Sequence, residues 1–161
     1  MKRILNVTVL TLTTFVLLGT ISVMAIERPF ALNARGIATF NIDGAGNPVS
    51  ANVSSSGTAT HLGLTTTVGT ITFTPDPANP GRLLTNGSGT MTGANGDTVQ
   101  LELNGALVPT PGSATATDKF DVRFLGGTGR FAGAHGTGTG IVVVNLLTGA
   151  FEITIVGDID F

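Results

Sequence analysis

The chain has 161 residues, with 23 glycines, nine phenylalanines, no tyrosine, tryptophan or cysteine, and a formal charge of −2. That length suits one domain, and an apolar fraction of 42% is too high for a disordered chain. The lack of cysteine excludes a disulfide framework, a thiolate metal site, a cysteine nucleophile and a lipid-anchored lipoprotein, and the six scattered cations from Arg28 to Arg130 form no basic patch for nucleic acid.

At the N-terminus, Lys2-Arg3 precede an apolar stretch running from Ile4 to Val23 and ending in Val23-Met24-Ala25. A positive start, an apolar middle and short residues before a cleavage point are the parts of a signal peptide. Residues 1–25 are therefore read as a leader and 26–161 as the mature domain, secreted or periplasmic. A single membrane anchor is the competing reading, disfavoured because the stretch is rich in threonine and only weakly apolar.

Strand-like alternation follows along the mature chain. Strands are predicted over 36–42, 49–55, 58–64, 68–74 and 83–92, where β-branched and small residues lie between turn signals. Val99, Leu101 and Leu103 then interleave with Thr98, Gln100 and Glu102, which places apolar side chains on one face and polar ones on the other. A short strand is predicted over 105–108. Phe120, Val122 and Phe124 repeat the alternation against Lys119, Asp121 and Arg123. Strands over 132–139 and 141–145 lead to the last one, where Phe151, Ile153 and Ile155 share a face with Gly157, Ile159 and Phe161.

Turn chemistry separates these segments. Asn95-Gly96 is read as a two-residue hairpin turn with positive φ at both residues. Asp43-Gly44-Ala45-Gly46-Asn47-Pro48 and Leu147-Thr148-Gly149 are read as further hairpins. Two proline-rich loops, 75–81 and 109–113, bar strand continuation and belong at a rim. No mature segment keeps a helical period for two turns. The fold class is all-β: a small, mostly antiparallel, eight-stranded up-and-down barrel, preferred over a sandwich because consecutive hairpins favour closure. Its predicted inward face includes Ala38, Phe40, Ile42, Phe73, Leu101, Phe120 and Ile153.

The stretch Gly126-Gly127-Thr128-Gly129-Arg130-Phe131-Ala132-Gly133-Ala134-His135-Gly136 resembles the G-G-T-G-x-F-x-x-A-x-G signature of dirigent proteins and, more loosely, of the allene oxide cyclase-like barrels. His135 stands where dirigent proteins usually carry arginine. The resemblance implies an eight-stranded antiparallel barrel whose cavity holds apolar small molecules, often in homo-oligomers. The order of Ala59-Thr60-His61-Leu62-Gly63, Ala94-Asn95-Gly96-Asp97 and the glycine stretch is also similar to that in exported bacterial proteins, a likeness that implies no activity.

Candidate chemistry is sparse. His61 and His135 with a nearby acid have the residue types for metal binding or proton transfer, but two ligands alone make a poor site, and strand residues with local hydrogen bonds are the simpler reading. Asn95-Gly96-Asp97 offers a carboxylate that a turn explains as well. Asp43–Asn47 lacks the carboxylate series of a calcium loop, and no Gly-x-Ser-x-Gly elbow occurs. No cofactor or metal is implied.

Three functions compete. The first is a non-enzymatic exported barrel that binds a small apolar molecule or acts as a scaffold; a filled interior favours the scaffold and an internal cavity the binder. The second, an isomerase or cyclase that steers a reactive intermediate, requires a polar group such as His61, His135 or Arg35 in the lumen. The third is an outer-membrane barrel, suggested by the apolar alternation ending at Phe161 and opposed by the lack of tyrosine and tryptophan girdles. Candidate ligand-contacting residues, at the barrel interior or mouth, are Phe40, His61, Phe73, Leu101, Phe124, Arg130 and His135.

Overall fold

A computed structural model describes residues 27–161; the leader and its cleavage point lie outside them. Eight strands follow one another: β1 (Arg28–Ile42), β2 (Pro48–Ala59), β3 (Gly63–Pro75), β4 (Leu83–Gly93), β5 (Thr98–Pro109), β6 (Thr115–Gly127), β7 (His135–Asn145) and β8 (Ala150–Asp160). Each pairs antiparallel with the next, and β8 closes on β1, so every strand has two partners. Closure satisfies both edges of the sheet, which a small cysteine-free domain cannot leave to a disulfide.

Alternation places the core. Leu32, Ala34 and Ala38 of β1 point inward together with Ala51 of β2, Leu101 and Leu103 of β5, Phe120 and Val122 of β6, and Ile155 of β8, and all are buried. The outward row of the same strands carries Thr39, Asn52, Glu102, Lys119, Asp121, Arg123 and Glu152, all exposed. Inward glycines make room for rings. A Cβ at Gly140 would collide with the edge of the Phe120 ring, and one at Gly36 would press on Phe151. The barrel thus fits large aromatics by deleting side chains on neighbouring strands.

Several local expectations change. The predicted strand over 58–64 is broken at 60–62, because His61 adopts φ +68° and turns the chain. Thr60 ties that turn to β1, its hydroxyl accepting from the Ala31 amide at 2.9 Å. The segment 105–108 is the second half of β5, and β7 begins only at His135, since a 3₁₀ turn covers Gly129–Phe131. At 95–96 only Gly96 has positive φ. The Gly93 amide donates to the Asp97 carbonyl at 2.9 Å and the Gly96 amide to that of Gly93 at 2.9 Å, the pattern of a longer loop built on a type I turn. Asn95 Oδ1 accepts from the Asp97 amide at 3.1 Å, so this side chain holds the turn without a left-handed backbone of its own. Ile42, predicted inward, is 53% exposed, because the β1–β2 register shifts between Asn41 and Ile42 and ends the alternation there.

Candidate functional site

The barrel's two ends differ. One end gathers the β2–β3 turn, the β4–β5 turn and the glycine-rich segment between β6 and β7 around the start of β1 and the end of β8. Phe131, 1% exposed, and Leu62 fill it from above. Below them the Phe30 and Phe124 rings meet at 4.7 Å between centroids, and Phe161 covers Phe131 at 4.6 Å. Gly129, at φ +59°, is required in this plug: any side chain there would collide with the Asp97 carboxylate.

The other end carries the 43–47, 76–82, 110–114 and 146–149 connections; beneath them Ala51, Leu107, Ala116, Val144 and Phe151 are buried, and Phe40, Phe73 and Leu83 are partly covered. Phe40 and Phe73, both half-buried, pack together on one side of the mouth, their ring centroids 5.9 Å apart. From there a cavity descends between Ala51, Val53, Ile71, Leu107, Val144 and Phe151 to a floor of Leu32, Leu101 and Ile155. The space free for the centre of a water molecule is about 90 Å³, several waters' worth by that measure. The interior is therefore neither filled nor as roomy as a drug-sized site. Wider depressions on the outer wall, such as the one between Val68, Thr90 and Leu125, are open to solvent.

The lining is mostly apolar, with the hydroxyls of Ser55, Thr67 and Ser88 and one charged side chain. Asp118 of β6 is 3% exposed and faces the cavity beside Leu107 of β5 and Val142 of β7. Its carboxyl fits because Gly105 on β5 has no side chain; a Cβ there would lie 2.7 Å from Asp118 Oδ1. Asp118 Oδ1 and the equally buried Thr85 Oγ1 of β4 make no hydrogen bond of normal geometry, although the Thr85 hydroxyl lies within reach of the carboxyl. Burial pushes the Asp118 carboxyl above its ordinary value, against opposing pulls from the Thr85 hydroxyl, the Ala106 amide and the Arg82 guanidinium. Arg82 is held at the rim, its Nε 3.6 Å from Asp76 Oδ2.

The residues singled out from sequence divide between the two ends. Phe40, Phe73 and Leu101 line the cavity, while Phe124 lies in the plug against Phe30. His61, Arg130 and His135 sit outside the lumen at the plugged end. His61 Nε2 is 3.1 Å from the Pro29 carbonyl, and its ring meets Phe161 edge-on at 5.2 Å. Arg130 stacks on Phe131, lies 3.8 Å from Asp97 and donates to the His61 carbonyl. His135 is exposed, with Nε2 3.5 Å from Asp160 Oδ2. Arg35 is also outside, paired with Glu152 at 2.9 Å. Among the described residues no three histidine or acidic side chains converge as a metal site.

Asp118 was missed although the pattern held the signal. Extending the alternation of Phe120, Val122 and Phe124 back by one step places residue 118 on the same face. No family model matches the chain, and no curated protein or solved structure matches it at a significant level.

Proposed function

We propose that this protein is an exported, non-enzymatic barrel that takes one compact apolar molecule into its lumen through the mouth framed by Phe40 and Phe73. The observation that carries this reading is the cavity itself: apolar on nearly every side, stopped at one end by the aromatic plug and open at the other. A pure scaffold gains nothing from leaving such space, because an unfilled core forfeits packing contacts. The leader of residues 1–25 supports export, and eight-stranded closure agrees with the barrels that the 126–136 stretch resembles.

Indole is a suitable probe, since a chain without tryptophan or tyrosine leaves its fluorescence unobscured. Titrating indole with the protein is expected to shift its emission to shorter wavelength and to saturate at one molecule per chain. Val53→Phe, which fills the cavity from β2, is expected to abolish the shift while the protein still unfolds cooperatively. An emission unchanged by wild-type protein would remove the reading.

A second reading, a barrel that steers a small molecule through cyclisation or isomerisation, draws support from Asp118, a buried acid with raised proton affinity in a mostly apolar chamber. An outer-membrane barrel has no such support. The outward row interleaves exposed apolar residues such as Ile37, Val68, Ile141 and Val143 with Thr39, Asn52, Glu102, Lys119, Arg123 and Glu152, whereas a lipid-facing wall needs a continuous apolar band.

A further inference from the structure

We infer that the lumen selects for a hydroxyl group: Asp118 and Thr85 together form a polar anchor for a compact, neutral alcohol whose remaining surface is apolar. The inference rests on the reading of the lumen as a binding cavity and adds what the cavity recognises.

Two side chains, each 3% exposed, point inward from β6 and β4: Asp118 lines the cavity and the Thr85 hydroxyl lies beside it within reach of its carboxyl, yet neither Asp118 Oδ1 nor Thr85 Oγ1 makes a hydrogen bond of normal geometry. A buried polar atom left unpaired is costly, and the cost disappears when a ligand atom supplies the missing hydrogen bond. The pair asks for two complementary things. A carboxyl oxygen seeks a donor, and a threonine hydroxyl has a proton to give. One alcohol oxygen does both, donating to Asp118 Oδ1 while accepting from Thr85 Oγ1. A hydrocarbon does neither.

Charge decides between an alcohol and an amine. The groups packed around the Asp118 carboxyl are Leu107 and Gly105 on β5, Thr85 on β4 and Val142 on β7, none of them charged. The one cation acting on it is Arg82, already at the rim beside Asp76. A ligand ammonium would add a second positive charge to a chamber whose only acid resists ionisation, and would lose its own hydration on entry. A neutral hydroxyl meets neither obstacle.

Three probes of one shape separate the possibilities: 2-phenylethanol, ethylbenzene and 2-phenylethylamine, each titrated into the full mature protein by calorimetry and by methyl NMR. The alcohol is expected to bind at least about tenfold more tightly than the hydrocarbon, because a site that hydrogen-bonds a hydroxyl discriminates against the analogue lacking it. Asp118→Leu is expected to bring 2-phenylethanol down to the level of ethylbenzene measured on the same variant. Thr85→Val, which keeps the carboxyl, is expected to reduce the preference partway. Equal binding of alcohol and hydrocarbon by wild-type protein, or an undiminished preference in Asp118→Leu, overturns the anchor and leaves the cavity reading standing. Tighter binding of the amine overturns the choice of a hydroxyl. No binding of any probe overturns the cavity reading and the anchor with it.

Discussion

The two ends of the barrel are built from the same alternating strands and do opposite things. At the plugged end, Phe30, Phe124, Phe131, Leu62 and Ile159 are all at most 4% exposed, and the 3₁₀ turn drops an aromatic ring into the opening. At the mouth, a smaller buried cluster of Ala51, Leu107, Val144 and Phe151 lies beneath half-buried Phe40, Phe73 and Leu83, Leu147 is 84% exposed, and proline-rich connections surround them. The aromatic plug is the more completely packed of the two ends, and the luminal carboxyl of Asp118 lies toward the other.

That contrast can be broken by truncation. Phe131→Ala is expected to destabilise the fold by about 3–5 kcal/mol, the cost of a cavity in a packed aromatic core. Phe73→Ala, at the mouth, is expected to cost about 1 kcal/mol, since much of its surface already meets solvent. Urea unfolding measures both, and equal losses would mean that the ends are not different in kind.

A smaller effect is expected halfway down. Gly140→Val places branched carbon where the Phe120 ring lies and should destabilise by about 1–3 kcal/mol through overpacking. Combining it with Phe120→Leu is expected to recover part of the loss, which a double-mutant cycle reads as coupling between the two sites.

The pH dependence of stability sharpens the comparison further. Asp118 keeps its proton to higher pH in the folded protein than in the unfolded chain. Its contribution is complete below its ordinary value of 3.8 and is lost as pH rises through the raised native value. Asp43 and Asp76 behave oppositely. Hydrogen bonds from Asn47 hold Asp43 below 3.8, and the Asn79 side chain does the same for Asp76, so their contributions are present above 3.8 and are lost in acid. Asp118→Asn is therefore expected to remove the decline on the side above 3.8 while preserving the acid limb, as urea midpoints across a pH series will report. An unchanged profile would place the carboxyl in water.

The smallest effect belongs to the outer wall. Arg35 and Glu152 pair at 2.9 Å but their side chains are 81% and 69% exposed. Replacing either with alanine is expected to change stability by no more than about 1 kcal/mol, less in high salt. Thermal unfolding checks this.

Much of this architecture was legible because a half-buried strand writes its two faces into alternate letters. The Phe120–Phe124 and Phe151–Ile155 rows name the core directly. What alternation does not encode is where a strand bends. Ile42 continues the apolar period of β1 but falls beyond a register shift, and the 58–64 segment looks extended although His61 reverses it. Asn95-Gly96 carries a familiar turn signal, yet the Asn95 side chain bonds to Asp97 and selects a different loop. The site was harder still. His61, His135 and Arg130 attract notice by residue type, whereas Asp118 reaches the lumen only through its parity with Phe120 and the missing side chain at Gly105. That missing side chain becomes visible only when β5 and β6 are brought together.

The most direct test of a one-ended binding chamber is a methyl-selective NMR titration of the mature protein with indole. Methyl signals of Leu107, Val142, Val144 and Ile153 around the cavity are expected to move together and saturate, while those of Leu62, Met91 and Ile159 in the plug stay in place. Shifts confined to the plug, or spread evenly over both ends, would contradict the account.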